Sequence, residues 1–311
     1  MDTQAMASFK SGAPKSSHNL CEACREQIND VVMNYSQPWK KNEENHHAFI
    51  SNLSRWCEGF DNAIMTQANT HVGMNFQSKR EKLQITPIIF KSLIEKSPFS
   101  KKLDTCAVVG SSGLLLDSGC GKMIDAAQFV IRCNLPRLND EYRIHVGSKM
   151  DLVSGILTER YGDLSGQRHD LVDRLESYGK FLLLLLPTFS SSNTRLANWV
   201  VASINHIESP ARPIFLNPDY LRKLHQFWRS NGMKTQRLSM AMTLASLALE
   251  LCSNVHLYGF WPISNHPYKP DNDMKAKTNS HNMPTEFDML LKLHSQGVLK
   301  LHQGNCQSDE K

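Results

Sequence analysis

The sequence predicts an α/β fold: a single domain with a mostly parallel sheet, preceded by a helical or stem-like N-terminal extension. Three observations carry this reading. Short apolar runs rich in β-branched residues end in glycine, at Cys106-Ala107-Val108-Val109-Gly110 and at Val255-His256-Leu257-Tyr258-Gly259, the pattern of strands buried on both faces. A segment of helical spacing at 120–127 lies between the first run and a second apolar run at 129–134, completing a β-loop-α-β unit. The nearly all-apolar stretch 239–252 reads as a helix buried inside the domain. At 311 residues the chain holds one substantial domain plus an extension, divided as 1–100 for the extension, 101–306 for the core domain and 307–311 for a tail.

Taken in order, the extension carries short helical patterns at 21–33 and 49–65. The strand ending at Gly110 passes into a Gly110-Ser111-Ser112-Gly113 turn. The helix at 120–127 and the strand at 129–134 follow, and 181–186 and 213–216 read as further core strands. An amphipathic helix spans 220–231 and is closed by Gly232, and Ser239 is the N-cap of the buried helix before the strand at 255–259. Folds of this kind bind ligands at the carboxyl ends of their strands, which places candidate sites at 110–113 and at Asn134.

Composition excludes several classes. Hydrophobic content of 41% and charged content of 21% argue against disorder or a coiled coil. A net charge of +5 suits an anionic ligand but falls short of a nucleic-acid footprint, so no nucleic-acid partner is expected. Thirteen histidines add latent positive charge at acidic pH. Eight cysteines, at 21, 24, 57, 106, 120, 133, 252 and 306, are too scattered for a zinc ribbon, and no metal site is predicted. They are either disulfides of an oxidising lumen or buried thiols of the cytosol. Cys21 and Cys24 have redox-motif spacing without the strand that should precede it. The sequons at Asn34 and Asn52 tilt the compartment toward the secretory pathway, where both asparagines would carry glycans. Residues 1–17 are polar, and no signal segment or membrane-spanning run is visible. For a luminal protein the expectation is then a targeting segment absent from this chain, or unconventional entry.

Four groups of residues carry candidate chemistry. Gly110, Ser111, Ser112 and Gly113 let backbone amides approach an anion, although an ordinary tight turn explains them as well. The full dinucleotide fingerprint is missing, and Asn134 stands where an NAD enzyme needs an acidic residue, which argues against that class. Ser239 either simply caps its helix or offers the helix amides to a phosphate or carboxylate. His281 precedes a helix initiated by Pro284 with Glu286 in its first turn; it is a general base or a solvated loop histidine, and His266 is a second imidazole for a leaving phosphate. Finally, 212–237 holds Arg212, Arg222, Lys223, Arg229, Lys234 and Arg237 against Asp219 alone, either a solvated helix face or a track for an acidic glycan.

These pieces, in this order, resemble the animal sialyltransferases of glycosyltransferase family 29, and within it the α2,8-sialyltransferases. Cys106-Ala107-Val108-Val109-Gly110, Cys120-Gly121, Ile124-Asp125, Phe129-Val130-Ile131-Arg132-Cys133-Asn134 and Val146-Gly147-Ser148-Lys149 resemble the family's large motif. Arg237-Leu238-Ser239 through Cys252 to Pro262 resembles the small motif, His266-Pro267-Tyr268 a degraded third motif, and 281–286 the very small motif. The resemblance covers about residues 101–306, and it makes that stretch a catalytic domain with a GT-A-like variant of the Rossmann fold.

The resemblance implies an inverting, metal-independent enzyme with no cofactor, using CMP-sialic acid as donor and a sialylated glycolipid or glycoprotein as acceptor. It makes His281 the base that deprotonates the acceptor hydroxyl and His266 the group stabilising the departing phosphate. It makes Asn134 a nucleotide contact and places the donor also at Gly110, Ser111, Ser112, Gly113, Ser239 and Gly259. It pairs Cys106 with Cys252 and Cys120 with Cys306, leaves Cys133 as a buried thiol, and implies a type II membrane protein of the Golgi lumen, whose anchor is absent from this chain.

The chain departs from the family pattern at Ser111 (normally Asn), at Met240-Ala241 (normally Thr-Gly), at Lys269 (normally Asp), and at Gly155-Ile156-Leu157 (normally Asn-Pro-Ser). Those positions define the alternative, a divergent, weakly active or inactive member that binds nucleotide or glycan and partners other enzymes. Asn217-Pro218-Asp219-Tyr220-Leu221 resembles the ganglioside branch and 298–306 the polysialylating branch, which leaves the acceptor open.

Overall fold

The computed structural model describes residues 38–77, 82–110, 115, 117–134, 142–155, 180–185, 209–235, 237–260, 283–302 and 306. Helix α1 (Glu43–Cys57) is started by Asn42, whose side chain accepts from the Asn45 amide, with Glu43 and Glu44 in the positive first turn. It stops where Glu58 turns left-handed at φ 50. The helical pattern expected over 49–65 therefore begins earlier and breaks at Glu58. After the single turn α2 (Gly59–Asn62), Ile64 and Met65 leave the helix to form strand β1 (Ile64–Met65). A small hairpin, β2 (Asn75–Gln77) with β3 (Lys82–Gln84), and helix α3 (Pro87–Ser92), capped by Thr86, follow; none of these was legible in the sequence.

The core domain runs through β4 (Leu103–Val109), α4 (Gly121–Ala126), β5 (Phe129–Arg132), α5 (Arg143–Val146), β6 (Leu152–Gly155), β7 (Leu182–Leu185) and β8 (Arg212–Leu216). It continues with α6 (Pro218–Ser230), α7 (Met240–Leu251), β9 (Cys252–Tyr258), α8 (Met283–Ser295) and β10 (Lys300–His302). The strand predicted over 129–134 ends at Arg132, and Asn134 beyond it is left-handed at φ 65. Strand β9 starts three residues before the predicted 255, because α7 passes straight into it through an extended Cys252. Helix α6 starts earlier than predicted, since Asn217 caps it and Pro218 opens its first turn.

Among the described residues the sheet has eight strands in the order β1-β8-β7-β6-β5-β4-β9-β10, with only β1 antiparallel to its neighbour. The chain enters the centre at β4, builds outward through β5 to β8, and then returns to lay β9 and β10 on the other side of β4. The order thus reverses between β4 and β9, and in open α/β sheets that switch point leaves a ligand crevice outside the carboxyl ends of the strands.

Both faces of the sheet are covered, which explains the apolar runs. Cys106 and Val108 pack with α1, α6, α7 and α8 in one cluster, while Ala107 and Val109 face Ile124, Cys120 and Cys306 on the other side. This is the two-residue alternation of a strand. Helix α7 is buried at every position from Met242 to Leu251, consistent with its all-round apolar sequence. Residues 43–65, assigned above to the extension, are part of this body: Ile50, Leu53 and Cys57 join the same cluster as α7, and β1 pairs with β8. Disulfides join Cys106 to Cys252, across β4 and β9, and Cys120 to Cys306, while Cys57 and Cys133 are buried thiols.

Candidate active site

Two of the predicted donor residues, Gly110 and Gly259, meet at the switch point. Gly110 ends β4 and Gly259 ends β9, and the Gly110 amide donates to the Tyr258 carbonyl at 2.8 Å. A Cβ on Gly110 would collide with the Gly259 carbonyl, and Gly259 itself has φ +67, a conformation that favours glycine. Glycine at both positions lets the two backbones meet at the ends of the central strands, with the Leu115 side chain packed over Gly259.

Asn134 lies just beyond β5, the neighbour of β4 on the other side. Asparagine tolerates its left-handed backbone better than most residues. The Asn134 amide donates to the Ser154 hydroxyl at 3.1 Å, and Ser154, on β6, is fully buried. The main chain is thus pinned while the residue as a whole remains exposed. Ser154 was not singled out in the sequence; its signal was a lone hydroxyl at the end of an otherwise apolar strand. A second support is Arg132, 1% exposed, whose guanidinium donates to the carbonyls of Lys149 and Val146, both at 2.9 Å. Asp125 accepts from the Ser148 and Lys149 amides at 2.9 and 2.8 Å. Together they lock segment 146–149 under the end of β5.

Ser239 is a true N-cap: its hydroxyl accepts from the Met242 amide at 3.0 Å. Its own amide does not point at an open anion site. It donates at 2.7 Å to the carboxylate of Glu286, from the first turn of α8. Ser239 thus caps the helix as the sequence suggested, and its own amide is committed to Glu286. Because α7 runs directly into β9 and packs back along it, this capped end lies toward the carboxyl end of the sheet.

Ser111, Ser112, Gly113, His266, His281 and Asn34 lie outside the described residues. Asn52 is exposed on α1.

The histidines behave differently from the composition-level expectation. His302 on β10 stacks on Tyr258 at 4.2 Å and lies 3.0 Å, nitrogen to nitrogen, from His256. Burial first, then the neighbouring His256, Lys300 and His294, hold its pKa well below the usual value. Burial likewise lowers His294 to about 4 and depresses His46. These three rings do not supply the charge at mildly acidic pH that the count of thirteen suggested.

The family profile of glycosyltransferase family 29 (sialyltransferase) matches residues 54–298.

The chain belongs to glycosyltransferase family 29, the sialyltransferases.

As a family-29 chain it is 36% identical to mouse alpha-2,8-sialyltransferase 8F over 87% of its own length and 71% of that relative. It is 34% identical to human alpha-2,8-sialyltransferase 8E, covering 86% of this chain and 75% of that one. It is equally 34% identical to a Xenopus laevis alpha-N-acetylneuraminide alpha-2,8-sialyltransferase, over 89% and 81% respectively. A crystal structure of a mammalian sialyltransferase aligns over 98% of this chain and 96% of its own, with a TM-score of 0.49 and 18% identity. In this family-29 chain, Gly110 and Gly259 meet at the β4–β9 switch point.

Proposed function

We propose that this chain is an α2,8-sialyltransferase, moving sialic acid from CMP-sialic acid to a sialylated glycan of a glycolipid or glycoprotein. The observation that carries the reading is the close backbone approach of Gly110 and Gly259 at the ends of the central strands, with Asn134 just beyond the adjoining strand, in a chain of a sialyltransferase family. The printed names of the relatives supply the α2,8 linkage.

The proposed reaction is a single in-line displacement. The acceptor hydroxyl oxygen forms a bond to the anomeric carbon as the bond from that carbon to the phosphate oxygen breaks, with inversion. His281 takes the hydroxyl proton, and CMP departs with the electron pair, its phosphate met by His266. Asn134 holds the nucleotide, and the backbone at 110–113 and around Ser239 and Gly259 supplies fixed dipoles rather than a cation. With the Ser239 amide committed to Glu286 and that of Met242 to the Ser239 hydroxyl, the donors at that helix end are the amides of Met240 and Ala241. The basic residues between Arg212 and Arg237 suit an acceptor that is already anionic. The two disulfides suit an oxidising lumen, and we place the protein in the Golgi lumen with glycans at Asn34 and Asn52.

One observation favours the second reading, a divergent member that binds without efficient transfer. Met240 and Ala241 form the first turn of α7, and Met240 packs partly into the core beside the capped end. The test is transfer from CMP-sialic acid to a panel of sialylated acceptors by the oxidised chain, with His281→Ala as control. Transfer that disappears in the variant supports catalysis. Absence of transfer with thermal stabilisation by CMP supports the binding reading, and absence of both defeats the assignment of the donor site.

A further inference from the structure

Five rings meet at the β9–β10 side of the sheet. His256 on β9 and His302 on β10 lie side by side, with Nδ1 of the first 3.0 Å from Nε2 of the second and their planes 22° apart. His302 stacks in turn on Tyr258. From α8, Nδ1 of His294 accepts the Leu301 amide at 3.1 Å. Trp39, ahead of α1, stacks on His294 at 6.4 Å and lies 6.5 Å from His256, and its indole donates to the Leu299 carbonyl at 3.0 Å. The same part of the chain is fastened to the turn between α8 and β10. There the Asn42 amide donates to the Gly297 carbonyl at 3.1 Å, and the Asn45 carboxamide to the Gln296 carbonyl at 3.0 Å.

These bonds need neutral imidazoles. A neutral ring has one donating and one accepting nitrogen, whereas the charged ring has two donors. Protonation of His294 therefore removes the acceptor of the Leu301 amide. The contact between His256 and His302 likewise needs one acceptor, so a proton on the accepting ring sets two N–H groups against each other. We propose that this cluster is an acid-sensitive latch: neutral, it holds segment 38–42 on the β9–β10 edge of the sheet, and protonation releases that segment while the core stays folded. The groups that act on the rings are cationic when charged. Lys300 on β10 acts on His294, and His256, Lys300 and His294 act on His302, in both cases after burial. Segment 38–42 brings Lys40 and Lys41 next to Trp39 in sequence, with Lys41 paired to Glu43 at 3.1 Å. The docked form is thus the form that binds fewer protons. For His294, held at about 4 when docked against an ordinary 6.5, docking is complete above 6.5 and weakens by up to about tenfold per pH unit as pH falls toward 4. The inner end of the stack is Tyr258, whose carbonyl accepts the Gly110 amide, so the latch adjoins the ends of the central strands. The inference stands independently of the transferase reading.

The experiment is amide hydrogen exchange of the oxidised full chain between pH 7.5 and pH 5.0, read by mass spectrometry and corrected for the pH dependence of the intrinsic rate; it requires no ligand. The amides of Asn42 and Leu301 report the latch, and those of residues 244–251 in α7 report the core. Wild type is expected to lose about 10-fold or more of its protection at Asn42 and Leu301 on acidification, with α7 unchanged. His294→Asn keeps an acceptor oxygen near the place of Nδ1 but does not titrate, and His302→Gln removes a second titrating ring. Each is expected to reduce the loss by about 10-fold or to abolish it. Protection in wild type that stays within about 3-fold across the range overturns the inference, and so does a parallel loss in α7, which would mean global unfolding. These two outcomes need no variant, so a substitution that impairs folding leaves the test intact. A wild-type response kept in full by whichever variants fold at pH 7.5 overturns the assignment to these histidines.

Discussion

Glu250 shows how one buried carboxyl ties pH to stability. It accepts from the Gly59 amide at 2.7 Å and the Tyr220 hydroxyl at 3.1 Å, bonds that favour the ionised form, but burial outweighs them and pushes its pKa up to about 7. The folded state thus holds this proton more tightly than the unfolded chain, whose value is near 4.5. The resulting stability is complete below that value and is lost as pH rises toward 7, by about 1.4 kcal/mol per unit or about 3 kcal/mol in all. Urea midpoints of wild type and Glu250→Gln across pH 5 to 8 isolate it: the variant should lack this decline, and parallel curves would contradict the assignment. Gly110 makes a second prediction. Alanine there must displace the Gly259 carbonyl, so Gly110→Ala should destabilise by about 1 to 3 kcal/mol and abolish stabilisation by CMP. Gly73→Ala, with φ +87 but no atom within 4 Å, should cost only about 1 kcal/mol of backbone strain and leave the CMP effect intact. The glycines were legible as strand ends, but their mutual contact was not, because it joins positions 149 residues apart through the register of β4 and β9.

At the scale of elements, the sequence was most readable where burial dictates pattern. The strands β4, β5, β7, β8 and β9 and the helices α6 and α7 were all anticipated because a covered parallel sheet demands apolar runs and α7 is apolar on every side. Ends were less readable, since they depend on caps. Asn217 accepts from the Asp219 amide at 2.9 Å and sets the start of α6; Asn217→Ala should cost about 1 kcal/mol, read as a shift in urea midpoint without a change in m-value. The hairpin β2–β3 and helix α3 were missed because a three-residue strand carries too little periodicity to detect. The cap shared by α7 and α8 was invisible for a different reason: a capping box is looked for within one helix, and here its acid lies on another.

For the whole molecule, the two disulfides close spans of 146 and 186 residues and bind the central strands and the C-terminal segment together. Replacing Cys106 and Cys252 together by alanine should cost about 4 to 5 kcal/mol in the chain-entropy account, seen as a lower Tm, and reduction of wild type should act in the same direction. An unchanged Tm on full reduction would show that the pairs do not contribute. The fold as a whole was read from patterns that local burial imposes, whereas the crevice depends on the late return of β9 to the side of β4, which only the assembled sheet reveals. The central claim is that this crevice transfers sialic acid to a sialylated acceptor. The most direct test is to incubate the oxidised chain with CMP-sialic acid and a sialylated oligosaccharide and determine the product linkage by NMR. The account predicts a new α2,8 linkage of inverted anomeric configuration, lost with His281→Ala. A product retaining the donor's anomeric configuration, or transfer that persists in His281→Ala, would contradict it.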